Sequence, residues 1–292
     1  MLFLSPGRDK FYMKCGILVF LWLNNSPDSQ IRKQNPTMTG RSFFSNIPPV
    51  TKNLIIINFI VWLFMMVAPE QLGARIDRLF ALHYWSATHF NPAQLFTYMF
   101  MHSTVNFGHL LFNMFSLWMF GTAIERALGS WRFLFYYVSC GLGAAIVQEL
   151  AWMWTWVDSA ARSLAPLNPH LSVGEITELL NHPAAYGMAS QVAAIKNSMI
   201  TVGASGAIYG VLLAFGMLWP NRPLFLFFVP IPIKAKWMVL GFGVLEVLLG
   251  LSDARGLGDG IAHFAHLGGM IFGFIMIYYW RKKGLGNGSG FY

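Results

Sequence analysis

Serine, histidine and amide side chains that could together perform acyl transfer occur in three widely separated apolar stretches of this 292-residue chain. Ser205 stands among small residues, and His263 and His266 are three residues apart. A serine hydroxyl becomes a nucleophile when a base takes its proton, which a neutral histidine can do near pH 7. His109 and Asn113 are four residues apart, so on a helix they share one face and could stabilise an oxyanion together with the Ser205 backbone N–H. These residue types predict nucleophilic acyl transfer.

The elements that must position these groups are membrane helices, because the composition excludes a soluble protein. Hydrophobic residues make up 55% of the chain and charged residues 11%, whereas a soluble domain carries about 25% charged residues. The high hydrophobicity also excludes disorder. A membrane helix needs about 20 mostly apolar residues, and six stretches meet or approach that length. They are residues 53–68, 107–124, 133–154, 199–218, 237–251 and 261–280.

The distribution of Lys and Arg indicates how these six stretches cross the bilayer. Most of the 20 Lys and Arg residues lie before the first stretch, between the second and third, between the fourth and fifth, and after the sixth. Cytoplasmic loops carry such an excess. We therefore expect an all-α polytopic membrane protein, a bundle of six transmembrane helices with both termini in the cytoplasm. This topology accounts for most of the net charge of +8, so a nucleic-acid partner is not expected.

The predicted topology also brings the polar groups to one depth. The second, fourth and sixth stretches run from the outside inwards, and each carries its polar residues in its first turns. At about 1.5 Å rise per residue, Asn113, Ser205 and His266 then all lie in the outer part of the bilayer. Polar residues inside a membrane are costly and are candidates for function.

The same pattern divides the chain into a membrane domain and two cytoplasmic ends. We predict a cytoplasmic segment at 1–52, a six-helix membrane domain at 53–281 with outer loops at about 69–106 and 155–198, and a cytoplasmic tail at 282–292. Residues 1–37 are interpreted as an over-extended start, with Met38 as the true initiator.

Two local patterns predict details of the loops. Ser172 and Glu175 match a capping box, which predicts a short surface helix near residues 173–181. The apolar run at 225–229 is bracketed by prolines, which break helices, so it is expected to be a loop at the membrane interface.

Rows of small residues indicate where helices approach one another. Gly206 and Gly210 form a GxxxG pattern on the fourth stretch, and Ala265, Gly269 and Gly273 form a similar row on the sixth. Such rows let membrane helices pack closely, which would bring the serine and a histidine within hydrogen-bond reach. Gly203 leaves room beside the serine for a peptide. Tyr209, one turn after Ser205, could hold the imidazole by ring contact.

Three motifs in chain order surround these groups, at residues 109–114, 203–210 and 265–269 followed by Gly273. With them the sequence resembles the rhomboid family of intramembrane serine proteases over roughly residues 50–281. The resemblance implies a catalytic dyad of Ser205 as nucleophile and His266 as base, without an aspartate. It also implies an oxyanion site at His109 and Asn113, and cleavage of membrane-anchored helices near their outer end.

His263 competes with His266 for the role of base. The histidine of the family is followed by small residues three and seven positions later. From His266 these positions are Gly269 and Gly273, whereas from His263 they are His266 and Met270. His266 is therefore the predicted base.

Other polar residues have plainer interpretations. The histidines His83, His89 and His102 lie in the outer segment, where solvated or interfacial roles are expected. Glu149 is placed near the outer end of a span, and Glu246 is interpreted as cavity-facing or paired, without a catalytic partner. The two cysteines of the chain cannot form a disulfide framework.

Three function classes follow. The leading one is a serine endopeptidase that needs no cofactor or metal, has transmembrane protein substrates and sits in a lipid bilayer, expected to be a bacterial inner membrane. The second is a catalytically silent rhomboid-like protein that binds and escorts membrane helices. The third is a metal-dependent protease or cation transporter using the histidines, which the lack of an HExxH motif disfavours. The oligomeric state is unknown from the sequence.

Overall fold

The computed structural model describes residues 19–20, 46–226, 229–257 and 261–284. Helices dominate these ranges. The α-helices are α1 (Pro49–Val67), α2 (Glu70–Phe80), α3 (Gln94–Thr97), α4 (Phe107–Ser116), α5 (Thr122–Leu128), α6 (Ser130–Leu164), α7 (Val173–Asn181), α8 (Ala189–Ser198), α9 (Ser205–Leu218), α10 (Ala235–Ser252) and α11 (His263–Lys282). A π-helical turn, Leu117–Gly121, joins α4 to α5 into one continuous helix.

Short strands accompany the helices, which remain the dominant element of the predicted all-α fold class. The strands are β1 (Val19–Phe20), β2 (Leu82–His83), β3 (Ile200–Thr201), β4 (Pro223–Leu226) and β5 (Val229–Lys234). β2 pairs with β3, and the other three form a sheet in the order β1-β4-β5, with antiparallel pairing throughout.

The described residues of the proline-bracketed run lie in two antiparallel strands, β4 and β5, rather than in the expected loop. Pro223 is the first residue of β4, and Pro230 and Pro232 lie in β5 at the edge of its sheet. First positions and edge strands are where a sheet tolerates proline, because the missing N–H is not needed for a ladder hydrogen bond. The prolines therefore mark the strand edge and do not exclude a strand.

Each of the six apolar stretches overlaps a helix of the structure. In the described part of the chain, four helices are long and apolar enough to cross a membrane: Pro49–Val67, Phe107–Leu128, Ser130–Leu167 and Ala235–Arg255. α9 is apolar but shorter. The protein is thus a multi-pass helical membrane protein, while the count of six spans and the side of each terminus remain predictions.

The most peripheral of these helices present apolar side chains outwards. Phe64 on α1 and Leu248 on α10 are 52% and 60% exposed. Hydrophobic residues of this size face outwards along most of both helices, which suits contact with lipid chains rather than water.

Small residues bring α9 and α11 into backbone contact, as the sequence rows predict. A β-carbon on Gly210 would lie 2.9 Å from the carbonyl oxygen of Gly269, and one on Gly269 would overlap the backbone of Gly206. On the other side of α11, a β-carbon on Gly268 would lie 2.8 Å from the carbonyl oxygen of Gly143 in α6. The close packing of α6, α9 and α11 therefore depends on glycine.

Glu125 joins the end of α5 to the start of α1. Its carboxylate accepts hydrogen bonds from the backbone N–H groups of Val50 and Thr51 at 2.9 and 2.7 Å. It also accepts one from the Ser130 hydroxyl at 2.7 Å. The first N–H groups of a helix have no partner within the helix and favour a negative charge. Glu125 thus supplies the N-terminal cap of α1 from a distant element.

The region after the third stretch is helical rather than a simple loop. α6 continues past Trp154 to Leu164. The predicted surface helix is confirmed as α7, with both capping-box bonds between Ser172 and Glu175 present. A small separate core holds the end of α6 against α7 and α8. It contains Ala161, Leu164, Ile176, Leu180 and Val192.

The interpretation of residues 1–37 as an over-extended start lies outside the described residues apart from Val19 and Phe20, and it stays a prediction. The same holds for most of the tail at 282–292.

Candidate active site

Ser205 is the first residue of α9, and the backbone before it is built around glycine. Gly203 has φ +127°, a conformation that side chains rarely adopt. Its N–H donates to the carbonyl oxygen of Tyr98 at 3.0 Å, which anchors the turn. Because the first N–H groups of a helix lack an internal acceptor, the Ser205 N–H suits binding to an oxyanion.

The Ser205 hydroxyl meets the ring of His266, which lies one turn into α11. Ser205 Oγ and His266 Nε2 are 2.7 Å apart. Ser205 is half-buried, whereas His266 is 7% exposed. If Oγ–H donates to Nε2, the proton of the neutral imidazole must sit on Nδ1. That tautomer can accept the hydroxyl proton.

Tyr209 supports the imidazole from the same helix as the serine. Its ring stacks on His266, with centroids 4.2 Å apart and planes 6° from parallel. Tyr209 follows Ser205 by one helical turn, so both contact the same histidine. The ring contact suggested by the sequence is therefore present.

His263 lies beside His266 but away from the serine. Its ring centroid is 6.2 Å from that of His266, in an edge-on arrangement. Its Nδ1 lies 2.6 Å from a carboxylate oxygen of Glu246. Of the two competing histidines, His266 is the one that bonds to Ser205.

Glu246 is where the structure departs most from the sequence interpretation. It lies on α10, is 4% exposed, and one oxygen, Oε2, is 3.0 Å from His266 Nδ1 and 2.6 Å from His263 Nδ1. The Tyr209 hydroxyl donates to the other oxygen, Oε1. Glu246 therefore touches the proposed base directly, although the sequence analysis gave it no such partner. The available signal was an acidic residue in an apolar helix.

The proposed oxyanion side chains lie against Gly203, two residues before the serine. A β-carbon on Gly203 would be 2.7 Å from His109 Nε2 and 3.7 Å from Asn113 Nδ2. The structure thus brings all four predicted site residues to one place.

His102 is a residue that the sequence analysis placed at the interface, but it is 4% exposed. Its Nε2 lies 3.0 Å from Asn113 Nδ2. Burial lowers the pKa of His102 to about 3, so the ring is neutral and Nε2 can accept the amide proton. His102 therefore orients the Asn113 amide. His83 is likewise buried, at 3% exposure, and its Nδ1 bonds to the carbonyl oxygen of Ala81.

Glu246, His263 and His266 also form a group whose ligand atoms lie within 4.8 Å of one another, so they could in principle hold a metal ion. Zinc at its usual bond lengths would keep tetrahedral N and O ligands about 3.3 Å apart. The observed N–O separations of 2.6 and 3.0 Å are those of hydrogen bonds. The expectation of a metal-free site remains a prediction.

Comparison with known proteins gives a family for the chain. The model of the Rhomboid domain matches residues 89–154 and 171–283. The unmatched residues 155–170 cover the end of α6 and the turn after it.

Three relatives illustrate the match. The chain is 28% identical to "Rhomboid protein 1, mitochondrial" of Saccharomyces cerevisiae, over 60% of this chain and 39% of that protein. It is 25% identical to "Rhomboid protease AarA" of Providencia stuartii, over 82% of this chain and 76% of that protein. It is 29% identical to "RHOMBOID-like protein 12, mitochondrial" of Arabidopsis thaliana, over 57% of this chain and 40% of that protein. The matches thus span about two fifths of the yeast and plant proteins.

These relatives do not support the prediction of a bacterial inner membrane. The yeast and plant proteins are named as mitochondrial, and the third comes from a bacterium. What the three names share is the rhomboid family.

Proposed function

Because this chain belongs to the rhomboid family of membrane proteins, we propose that it is an intramembrane serine endopeptidase that cleaves membrane-anchored helices near their outer end. The observation that carries the proposal is the 2.7 Å hydrogen bond between Ser205 Oγ and His266 Nε2. Two residues 61 positions apart are held there by the glycine contact between α9 and α11.

The first half of the proposed reaction acylates the serine. Ser205 Oγ attacks the scissile carbonyl carbon while its proton passes to His266 Nε2. The oxyanion is stabilised by the Ser205 N–H, by an Asn113 amide N–H and by His109 Nε2–H. His266 then gives its proton to the leaving nitrogen, and the C–N bond breaks.

The second half releases the product by the same groups. His266 takes a proton from water as the water oxygen attacks the acyl carbon. The tetrahedral intermediate collapses, the Ser205 oxygen leaves, and His266 returns the proton to it. The half-buried position of Ser205 lets both a peptide and water reach the hydroxyl.

The position of the site supports a helical substrate cut close to the membrane surface. Ser205 and His266 both lie at the N-terminal ends of their helices, α9 and α11. If these helices run inwards as the charge distribution predicts, the site opens toward the outer face. A substrate helix must unwind there to present a peptide bond, since helical carbonyls are already bonded and shielded.

The alternative is a catalytically silent protein that binds and escorts membrane helices. Such a protein needs the helix contacts but not an aligned hydroxyl and imidazole. The Ser205–His266 geometry favours the enzyme.

The test is cleavage of a model transmembrane substrate by purified protein in proteoliposomes. Ser205→Ala and His266→Ala should each abolish cleavage, a loss of about 10³-fold or more. The matched controls are Ser190→Ala and His182→Ala, both at exposed positions outside the site, and both should cleave at the wild-type rate. Wild-type cleavage by either site variant would refute the assignment. Binding of the peptide by wild-type protein without cleavage would favour the escort function.

A further inference from the structure

We propose that Glu246 is a positioning residue that completes a Ser205–His266–Glu246 triad. The inference rests on the proposed function and goes beyond the resemblance, which implies a dyad without an acidic member. It is carried by the unbroken hydrogen-bond line from Ser205 Oγ to His266 Nε2 at 2.7 Å and from His266 Nδ1 to Glu246 Oε2 at 3.0 Å.

The two bonds of His266 depend on each other through its tautomer. Nε2 can accept the serine proton only when the imidazole proton sits on Nδ1. A carboxylate oxygen is an acceptor and not a donor, so Glu246 favours Nδ1–H and leaves Nε2 free to act as a base. Stacking on Tyr209 fixes the ring plane, while Glu246 fixes which edge carries the proton.

The carboxylate itself is held by further donors. Tyr209 donates to Oε1, and His263 Nδ1 lies 2.6 Å from Oε2. A buried carboxylate needs such partners, because an unpaired buried charge is strongly unfavourable. Two donors, Tyr209 on α9 and His263 on α11, thus hold the Glu246 carboxylate of α10 against the base. His263, which does not bond to Ser205, thus has the role of holding the Glu246 carboxylate in place.

In the reaction, Glu246 stays unprotonated. When the Ser205 oxygen bonds to the carbonyl carbon, its proton moves to His266 Nε2 and the ring becomes an imidazolium. The positive charge then faces the carboxylate across the Nδ1–H bond, which is stronger than before because both partners are charged. The proton on Nδ1 does not transfer, and the one on Nε2 goes to the leaving nitrogen.

Glu246→Gln is the informative variant because it preserves size and removes charge. The new amide can turn its N–H toward His266 Nδ1, which would move the imidazole proton to Nε2 and disable the base. We expect kcat to fall about 10²–10⁴-fold with KM within about threefold of wild type. Labelling of Ser205 by a fluorophosphonate, which needs no peptide substrate, should slow about 10²-fold or more. Glu246→Asp retains the charge and should recover at least about tenfold of the loss in kcat.

The matched control is Glu149→Gln, the same substitution at a carboxylate on α6 that accepts a hydrogen bond from the Trp85 N–H rather than from His266. It should leave labelling and kcat within about twofold of wild type. Thermal unfolding of each variant separates a loss of fold from a loss of chemistry.

A second measurement uses the wild-type protein alone. Nitrogen-15 NMR of labelled histidines should show His266 as the Nδ1–H tautomer, identified by the signals lost in His266→Ala. The Nε2–H tautomer would overturn the triad even if Glu246 variants failed to fold.

The outcomes separate the two proposals. Suppose that the wild-type protein cleaves the substrate and that Glu246→Gln is labelled and cleaves at the same rate. This result would overturn the triad but not the proposed protease function. Rapid, Glu246-dependent labelling of Ser205 without cleavage of any transmembrane substrate would support the triad and reject the endopeptidase. Wild-type protein that is not labelled at Ser205 would refute the triad as well.

Discussion

Gly269→Ala should separate the two halves of the active site without touching a reacting group. A β-carbon at residue 269 would overlap the backbone carbonyl of Gly206, the residue after Ser205. Backbone cannot rotate away as a side chain can, so α9 and α11 must move apart. Restoring ordinary contact of about 3.5 Å needs a shift of roughly 1.5 Å or more.

That shift sets the size of the effect. His266 is three residues before Gly269, so the separation acts directly on the hydrogen bond of 2.7 Å between Ser205 and His266. Lengthening it by about 1 Å takes it beyond hydrogen-bond range, and a misplacement of that size reduces the rate about 10²-fold. Overpacking should also lower the free energy of unfolding by about 1–3 kcal/mol, which corresponds to a fall of roughly 2–5 °C in Tm for a chain of 292 residues.

Gly241→Ala is the matched control, because nothing lies within 4 Å of a β-carbon at that position on α10. Alanine stabilises a helix by about 0.5–1 kcal/mol relative to glycine, so this variant should gain stability and keep its rate. Thermal unfolding and substrate cleavage are measured on both proteins in one detergent. If Gly269→Ala unfolds and cleaves like wild type, the backbone contact between α9 and α11 does not position the site.

Two further predictions concern the oxyanion side and the metal question. Asn113→Ala should lower kcat about 10²–10³-fold, because one oxyanion donor is lost while the Ser205 N–H remains. A wild-type kcat would remove Asn113 from the site. The control is Asn197→Ala, which removes a side chain that contacts Thr88 outside the site. A strong chelator should leave the cleavage rate unchanged, since Glu246, His263 and His266 are spaced for hydrogen bonds. If the chelator abolishes cleavage and added zinc restores it, these three residues form a metal centre instead.

Local spacing predicted the parts of the site that lie on one helix. Tyr209 follows Ser205 by one helical turn, and His109 and Asn113 are likewise one turn apart. Helical geometry alone therefore predicts that the two residues of each pair lie side by side. The small-residue rows were equally informative, because a residue without a side chain has few reasons to recur every fourth position except close packing. The strand pair β4 and β5 escaped prediction because proline was interpreted as a breaker rather than as an edge-strand residue.

The sequence by itself determined that this is a membrane protein, and it singled out Ser205 and His266 as the proposed reacting pair, because composition, periodicity and motif order are properties of the chain. Only the tertiary structure decided that Glu246 faces His266, that His102 holds Asn113, and that His263 braces the carboxylate instead of meeting the serine. Those pairings depend on the rotation and depth of one helix against another, and helix packing sets them through contacts spread over α6, α9, α10 and α11. A single acidic residue in an apolar helix indicates that the residue has a buried partner. Which residue is that partner depends on how the helices pack in the folded bundle.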